Sequence, residues 1–116
     1  MLRTYFYKQK ITPVGKEFYK YNFLISFFKN LGYTIDNLTP IPVVKEDIEE
    51  LLDRCNKVLK NPDLAKKLLP TAEGSLDYDE LYFYKVETLR QYIIDNLLPE
   101  FNNLDLNEAI MFEIWF

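Results

Sequence analysis

The sequence predicts an α+β fold, mainly α: three main helices and one short helix, with a small antiparallel pair of terminal strands. Three observations carry this expectation. Apolar residues recur at three- and four-residue steps through three separate stretches, as in amphipathic helices. The two ends of the chain alternate instead, residue by residue, as strands do. Proline and glycine breaks divide what lies between into lengths that suit single elements.

Residues 2–9 are rich in aromatics and carry no helix cap. They read as a strand with Thr4 and Phe6 on one face and Tyr5 and Tyr7 on the other. Pro13 and Gly15 break it. The first helix is expected over 16–31, burying Phe18, Tyr21, Leu24, Ile25, Phe28 and Leu31. Tyr19, Phe23 and Phe27 widen its apolar surface, which implies contacts on two sides. Gly32 stops it in the usual C-terminal role. Residues 33–44, holding Pro40 and Pro42, read as a connector.

The second helix, 45–60, has the cleanest stripe: Ile48, Leu51, Leu52, Cys55, Val58 and Leu59. Its acidic residues begin it and Lys57 and Lys60 end it, matching the helix dipole. Asn61 and Pro62 stop this helix and open a short one over 63–69. Pro70 closes that, and Gly74 with Ser75 lets the chain reverse. Asp77 is expected to cap the third main helix, with Glu80 in the capping-box position. Tyr78, Tyr82, Val86, Leu89, Ile93 and Leu97 form its continuous face, and Pro99 is expected to end it, with a polar loop over 99–107. Residues 109–116 alternate Ile110, Phe112, Ile114 and Phe116 against Met111, Glu113 and Trp115. This apolar strand needs a partner. The N-terminal strand is the expected one, and a second copy or a target protein is the alternative.

The whole chain, 1–116, reads as a single domain able to bury about two-thirds of its unfolded surface. Nine Phe, nine Tyr and one Trp serve either a tight core or a sticky surface. A net charge of −4 argues against broad nucleic-acid binding, which needs a basic face. The lone Cys55 reads as a small core residue in a reducing compartment. The N-terminus lacks an export-signal pattern and no apolar run is long enough for a bilayer, so a cytoplasmic protein without membrane contact is expected.

Much common chemistry is excluded. With no histidine, Ser-His-Asp and Cys-His catalysis, histidine metal sites and the commonest general base are all removed. Three glycines without phosphate-loop spacing remove nucleotide loops of the usual kinds, and one cysteine removes cysteine-rich zinc sites. Asp77, Asp79 and Glu80, with Glu73 nearby, suit a hard cation. Capping and dipole matching explain them without one, so neither a metal nor a cofactor is expected. The carboxylates from Glu46 to Asp53 read as a solvated helix face. The tyrosines remain: Tyr78, Tyr82, Tyr84 and Tyr92, with Lys85 or Arg90, would stack and hydrogen-bond a nucleotide-like ligand if they converged. Their helical spacing points first to core packing with hydroxyls at the rim.

Four segments taken together resemble a group of small uncharacterised proteins encoded by phages and prophages. Residues 18–28 stand where that group has a WRKANxIHxWF helix, and 43–52 (VVKEDIEELL) where it has VSKEDLEELL. Leu68-Leu69-Pro70-Thr71 with Gly74, then Tyr78-Asp79-Glu80 with Tyr82-Phe83, correspond to its LLPTxxGFFFGSxxYDExYF stretch. The last six or seven residues correspond to its YYQSSW-like strand. The FFFG piece is missing here, the helix histidine is Ile25, and the tryptophans are phenylalanines. The resemblance implies a phage or mobile-element origin and a shared helical fold, and brings no reaction.

The function expected is therefore that of a non-enzymatic phage or prophage accessory protein that binds a host or phage protein. Its interaction surface is expected to include Phe23, Phe27, Trp115 and Phe116 as exposed aromatics. The alternatives are a protein that binds or sequesters a nucleotide-like small ligand, and a structural virion component, for which a homodimer through the terminal strands would speak.

Overall fold

A computed structural model describes residues 3–8, 18–19, 21–71, 78–106 and 108–115. Its mainly helical α+β architecture is the class the sequence predicts. The elements run β1 (Arg3–Lys8), β2 (Phe18–Tyr19), α1 (Asn22–Asn30), β3 (Ile41–Val43), α2 (Lys45–Lys60), a 3-10 turn (Pro62–Leu64), α3 (Ala65–Leu68), α4 (Glu80–Tyr92), a π-helical segment (Ile93–Leu97), α5 (Leu98–Asn102) and β4 (Ile110–Trp115). None of the described helices is long and apolar enough to cross a membrane.

The terminal strands pair with each other within the chain. β1 and β4 run antiparallel from Arg3 opposite Trp115 to Lys8 opposite Ile110. This register sets Phe6 against Phe112, and alternation turns Thr4, Phe6, Ile110 and Phe112 into the interior. Two short strands widen the pair to a sheet of order β2-β1-β4-β3. Neither was expected. Phe18 and Tyr19, assigned to a helix by their spacing, pair instead with Thr4 and Arg3, a choice that suits aromatic residues. Ile41–Val43 lies within the expected connector, and its Pro42 is tolerated because β3 is an edge strand.

α1 therefore starts at Asn22, later than its periodicity suggests, and is apolar on nearly every side. Phe23, Leu24, Ile25, Phe27 and Phe28 are all buried. Phe28 faces the sheet, with its ring centroid 4.5 Å from that of Phe112 and 6.4 Å from that of Phe6. Phe23 meets Tyr82 of α4 edge-on at 5.6 Å, and the Arg54 guanidinium of α2 lies 5.3 Å over Phe27. The helix is thus packed from both sides, as its wide apolar surface implied. Gly32, at φ +99, ends it: its N–H bonds to Lys29 O, the Tyr33 N–H bonds to Phe28 O, and the Tyr33 ring packs on Phe28 at 5.7 Å. These are the two hydrogen bonds and the apolar contact of a Schellman cap.

α2 keeps its predicted bounds. It runs antiparallel to the α4–α5 helix, with Lys45 reaching Asn102 and Asn56 accepting from Arg90. At 1.5 Å per residue that composite helix is roughly 34 Å long, close to the 40 Å long axis of the molecule. Asp79 caps it, accepting from the Tyr82 N–H at 3.0 Å. The expected cap, Asp77, lies outside the described residues, and Glu80 is the first helical residue and not the third.

Pro99 does not end the helix. It has no N–H for the carbonyl of Asp95, and its ring crowds that carbonyl. The chain answers by widening one turn: the Leu98 N–H bonds five residues back to Ile93 O, a π-type bond, and α5 continues to Asn102.

The segment after α2 is tied down by side chains. The Arg54 Nη1 donates to Leu68 O at 3.1 Å and its Nε to Glu50 at 3.0 Å. The buried Tyr82 hydroxyl donates to Leu69 O at 2.7 Å. Tyr82→Phe removes a donor and leaves a buried carbonyl unsatisfied, so it is expected to cost about 1–3 kcal/mol, measured by urea denaturation.

Leu38 gives a second prediction. It lies in the turn closed by the Thr39 N–H and Asp36 O, at φ 59, a region unfavourable to any residue with a Cβ and worst for β-branched ones. Its side chain is exposed, so packing contributes little. Stability is expected to rank Leu38→Gly at or above wild type and Leu38→Val below it by about 1 kcal/mol, by thermal melting.

Candidate functional site

The outer face of α4 carries an open depression. Tyr84, Glu87, Thr88, Gln91, Tyr92, Asp95 and Asn96 line an open groove of about 470 Å3. Residues 84, 87, 88, 91 and 95 follow each other at three- and four-residue steps, so one helix face presents them. Asn96 joins Asp95 there because of the π turn: with five-residue bonding, positions four and five beyond Gln91 straddle the place above it. The proline that interrupts the α-helical bonding thus helps shape the groove.

Tyr84 is 64% exposed, and Leu81, one turn earlier on the same face, is 58% exposed. The floor is Tyr92, buried and stacked on Phe6 at 6.3 Å. Burial, with the Glu100 carboxylate second, pushes its hydroxyl up to about 12. At one side lies Tyr21, hydrogen-bonded to the Thr88 side chain and raised in pKa chiefly by burial. The carboxylates of the lining are Glu87 and Asp95, and Asp95 accepts from Gln91 Nε2 at 2.8 Å. Neither basic residue of α4 is part of the described lining. Lys85 Nζ lies 5.5 Å over the Tyr21 ring, and Arg90 Nε donates to Asn56 of α2.

The residues singled out from sequence are therefore dispersed. Tyr82 and Tyr84 lie roughly 200° apart around the helix; the first is buried in the core and the second is in the groove. With Lys85 over Tyr21 at the side of the groove and Arg90 turned to α2, the expected convergence of Tyr82, Tyr84, Lys85 and Arg90 does not form. Phe23 and Phe27 are 2% and 0% exposed and are core residues, not an interaction surface, because α1 is enclosed by the sheet on one side and by α2 and α4 on the other. The Trp115 side chain and Phe116 lie outside the described residues. What the sequence reading missed is Leu81, the outward neighbour of Tyr84, whose signal was a large apolar residue off the main stripe of α4.

Elsewhere the titratable groups serve structure. Cys55 is fully buried, and desolvation pushes its thiol up to about 12, unfit as a nucleophile. Asp53 pairs with Lys57 at 2.8 Å, and Asp47 accepts from the Tyr33 hydroxyl at 2.5 Å. No group of three or more acidic or sulfur ligands able to hold a metal occurs among the described residues; Glu73 and Asp77 lie outside them.

Comparison with protein-family models, with curated proteins and with solved structures yields no match.

The buried hydroxyls and thiol fix the response to alkali. Burial raises Tyr33, Tyr92 and Cys55 to about 12 and raises Tyr21 and Tyr82 as well. In the unfolded chain these groups lose their protons near their ordinary values of 9.0 for Cys and 10.0 for Tyr. Between those values and the folded ones the unfolded state holds fewer protons, so stability falls as pH rises. With no histidine present, urea midpoints are expected to be level from about pH 6 to 8.5 and to fall steeply above about pH 9.5.

Proposed function

We propose that this protein is a non-enzymatic accessory protein of a phage or prophage, acting in the host cytoplasm by binding a host or phage protein through the outer face of α4. The observation that supports it most is the exposed pair Leu81 and Tyr84 beside an open groove of about 470 Å3. Both sit on the composite α4–α5 helix, braced along its length by α2, so the surface is rigid before a partner arrives. An exposed aromatic on a preorganised element suits a binding hot spot, because little side-chain entropy remains to be lost. The phage attribution rests on the resemblance of the LLPT, YDE and terminal segments described above.

The small-ligand alternative finds less support. The groove volume lies within the range of ligand sites, but Glu87 and Asp95 repel the phosphates of a nucleotide, and no cation among the described residues lines the groove to offset them. A virion component remains the reading to adopt if the chain self-assembles.

The test is capture from phage-infected or lysogenic cells with three baits: wild type, Leu81→Ser/Tyr84→Ser, and Leu106→Ser, the last at a fully exposed site remote in sequence. Partners are expected on wild type and Leu106→Ser and lost from the double variant, with all three melting alike. Equal capture by all baits overturns the surface. Native mass spectrometry showing a bound small molecule, or a homo-oligomer dissolved by the double variant, overturns the partner.

A further inference from the structure

The groove has a charge that narrows what it accepts. We infer that its occupant is a basic segment of the partner protein, which sets arginine or lysine side chains against Glu87 and Asp95 and stacks one of them on Tyr84. This inference rests on the protein-binding reading above and specifies the chemistry of the partner.

Among the described residues, every charged residue of the lining is acidic. Glu87 and Asp95 carry no salt bridge among the described residues, in contrast to Glu50 and Asp53 of α2, which are paired with Arg54 and Lys57. Neither basic residue of α4 pairs with them: Lys85 lies over Tyr21 at the side of the groove and Arg90 is held by Asn56. Glu87 and Asp95 lie eight positions apart, or roughly 12 Å along the helix. Tyr84 stands one turn before Glu87 and offers an accessible ring, the surface on which a guanidinium or ammonium group is attracted. Leu81 extends the same line with an apolar contact. A segment that matches this order carries an apolar residue, then two basic residues about 12 Å apart, a spacing of seven or eight positions if the segment is helical. An acidic segment meets two uncompensated carboxylates there, and the net charge of −4 steers it away at long range.

The experiment uses the full chain and two fluorescein-labelled peptides of equal length, one with a leucine and two arginines at helical spacing and one with glutamates replacing the arginines. Fluorescence anisotropy is read at 50 and 300 mM salt for wild type, Glu87→Gln/Asp95→Asn, Tyr84→Ala and a control, Glu46→Gln/Glu49→Gln, at exposed positions on α2. The arginine peptide is expected to bind wild type and the control alike, about five-fold or more weaker to the groove variants, and weaker at high salt. Binding that the control reduces as much as Glu87→Gln/Asp95→Asn is diffuse attraction and overturns the inference, as does preference for the glutamate peptide or no binding. Capture with Glu87→Gln/Asp95→Asn as bait separates the two levels. If it retains the partner that Leu81→Ser/Tyr84→Ser loses, protein binding stands and the basic segment falls. If neither variant loses a partner, the docking surface itself falls.

Discussion

The contact on which the rest of the structure depends is the meeting of Phe6, Phe28 and Phe112. Phe6 and Phe112 face each other across the central strand pair at 5.2 Å, and Phe28 closes on both from α1. All three are buried. A two-stranded ribbon is marginal alone in water, and α1 is too short to hold as an isolated helix. Each becomes stable by covering the other. The contact also joins the two ends of the sequence, so the helices between them are enclosed by a closure of high contact order.

Around that contact, polar side chains anchor segments that apolar packing alone leaves loose. Arg54 carries its stem and guanidinium onto Phe27 while hydrogen-bonding the end of α3. Tyr82 satisfies a buried carbonyl beside it, and Tyr33 fastens the connector after α1 to the first turn of α2. Each has an apolar body that packs and a polar tip that fixes position. This explains how a chain so rich in tyrosine uses it without opening its core to water.

The same division explains the α4 groove. One face of the helix is drawn into the core by Tyr82, Val86, Leu89 and Ile93. The opposite face keeps Leu81 and Tyr84 in solvent, and the π turn before Pro99 adds Asn96 to its rim. Burial on one side makes the helix rigid, and rigidity on the other gives an exposed tyrosine a fixed direction.

Much of this architecture was legible in the amino-acid order. The class, the bounds of α2, the two alternating faces of β1 and the Gly32 stop all follow from local physics: period, dipole matching, alternation and a backbone conformation that glycine adopts freely. What was not legible depended on partners distant in sequence. Phe18 and Tyr19 satisfy helical spacing as well as a strand, and pairing with β1 decided between them. Ile41–Val43 is too short to announce itself and exists because β4 offers an edge. Pro99 reads as a stop in isolation, yet packing on both sides of it favoured a widened turn over a break. Phe23 and Phe27 look like surplus apolar surface until α2 and α4 close over them. The sequence by itself determined where the main helices run and where the chain must turn. Only the tertiary structure decided which faces remained exposed, because exposure is what is left after every element has found its neighbours.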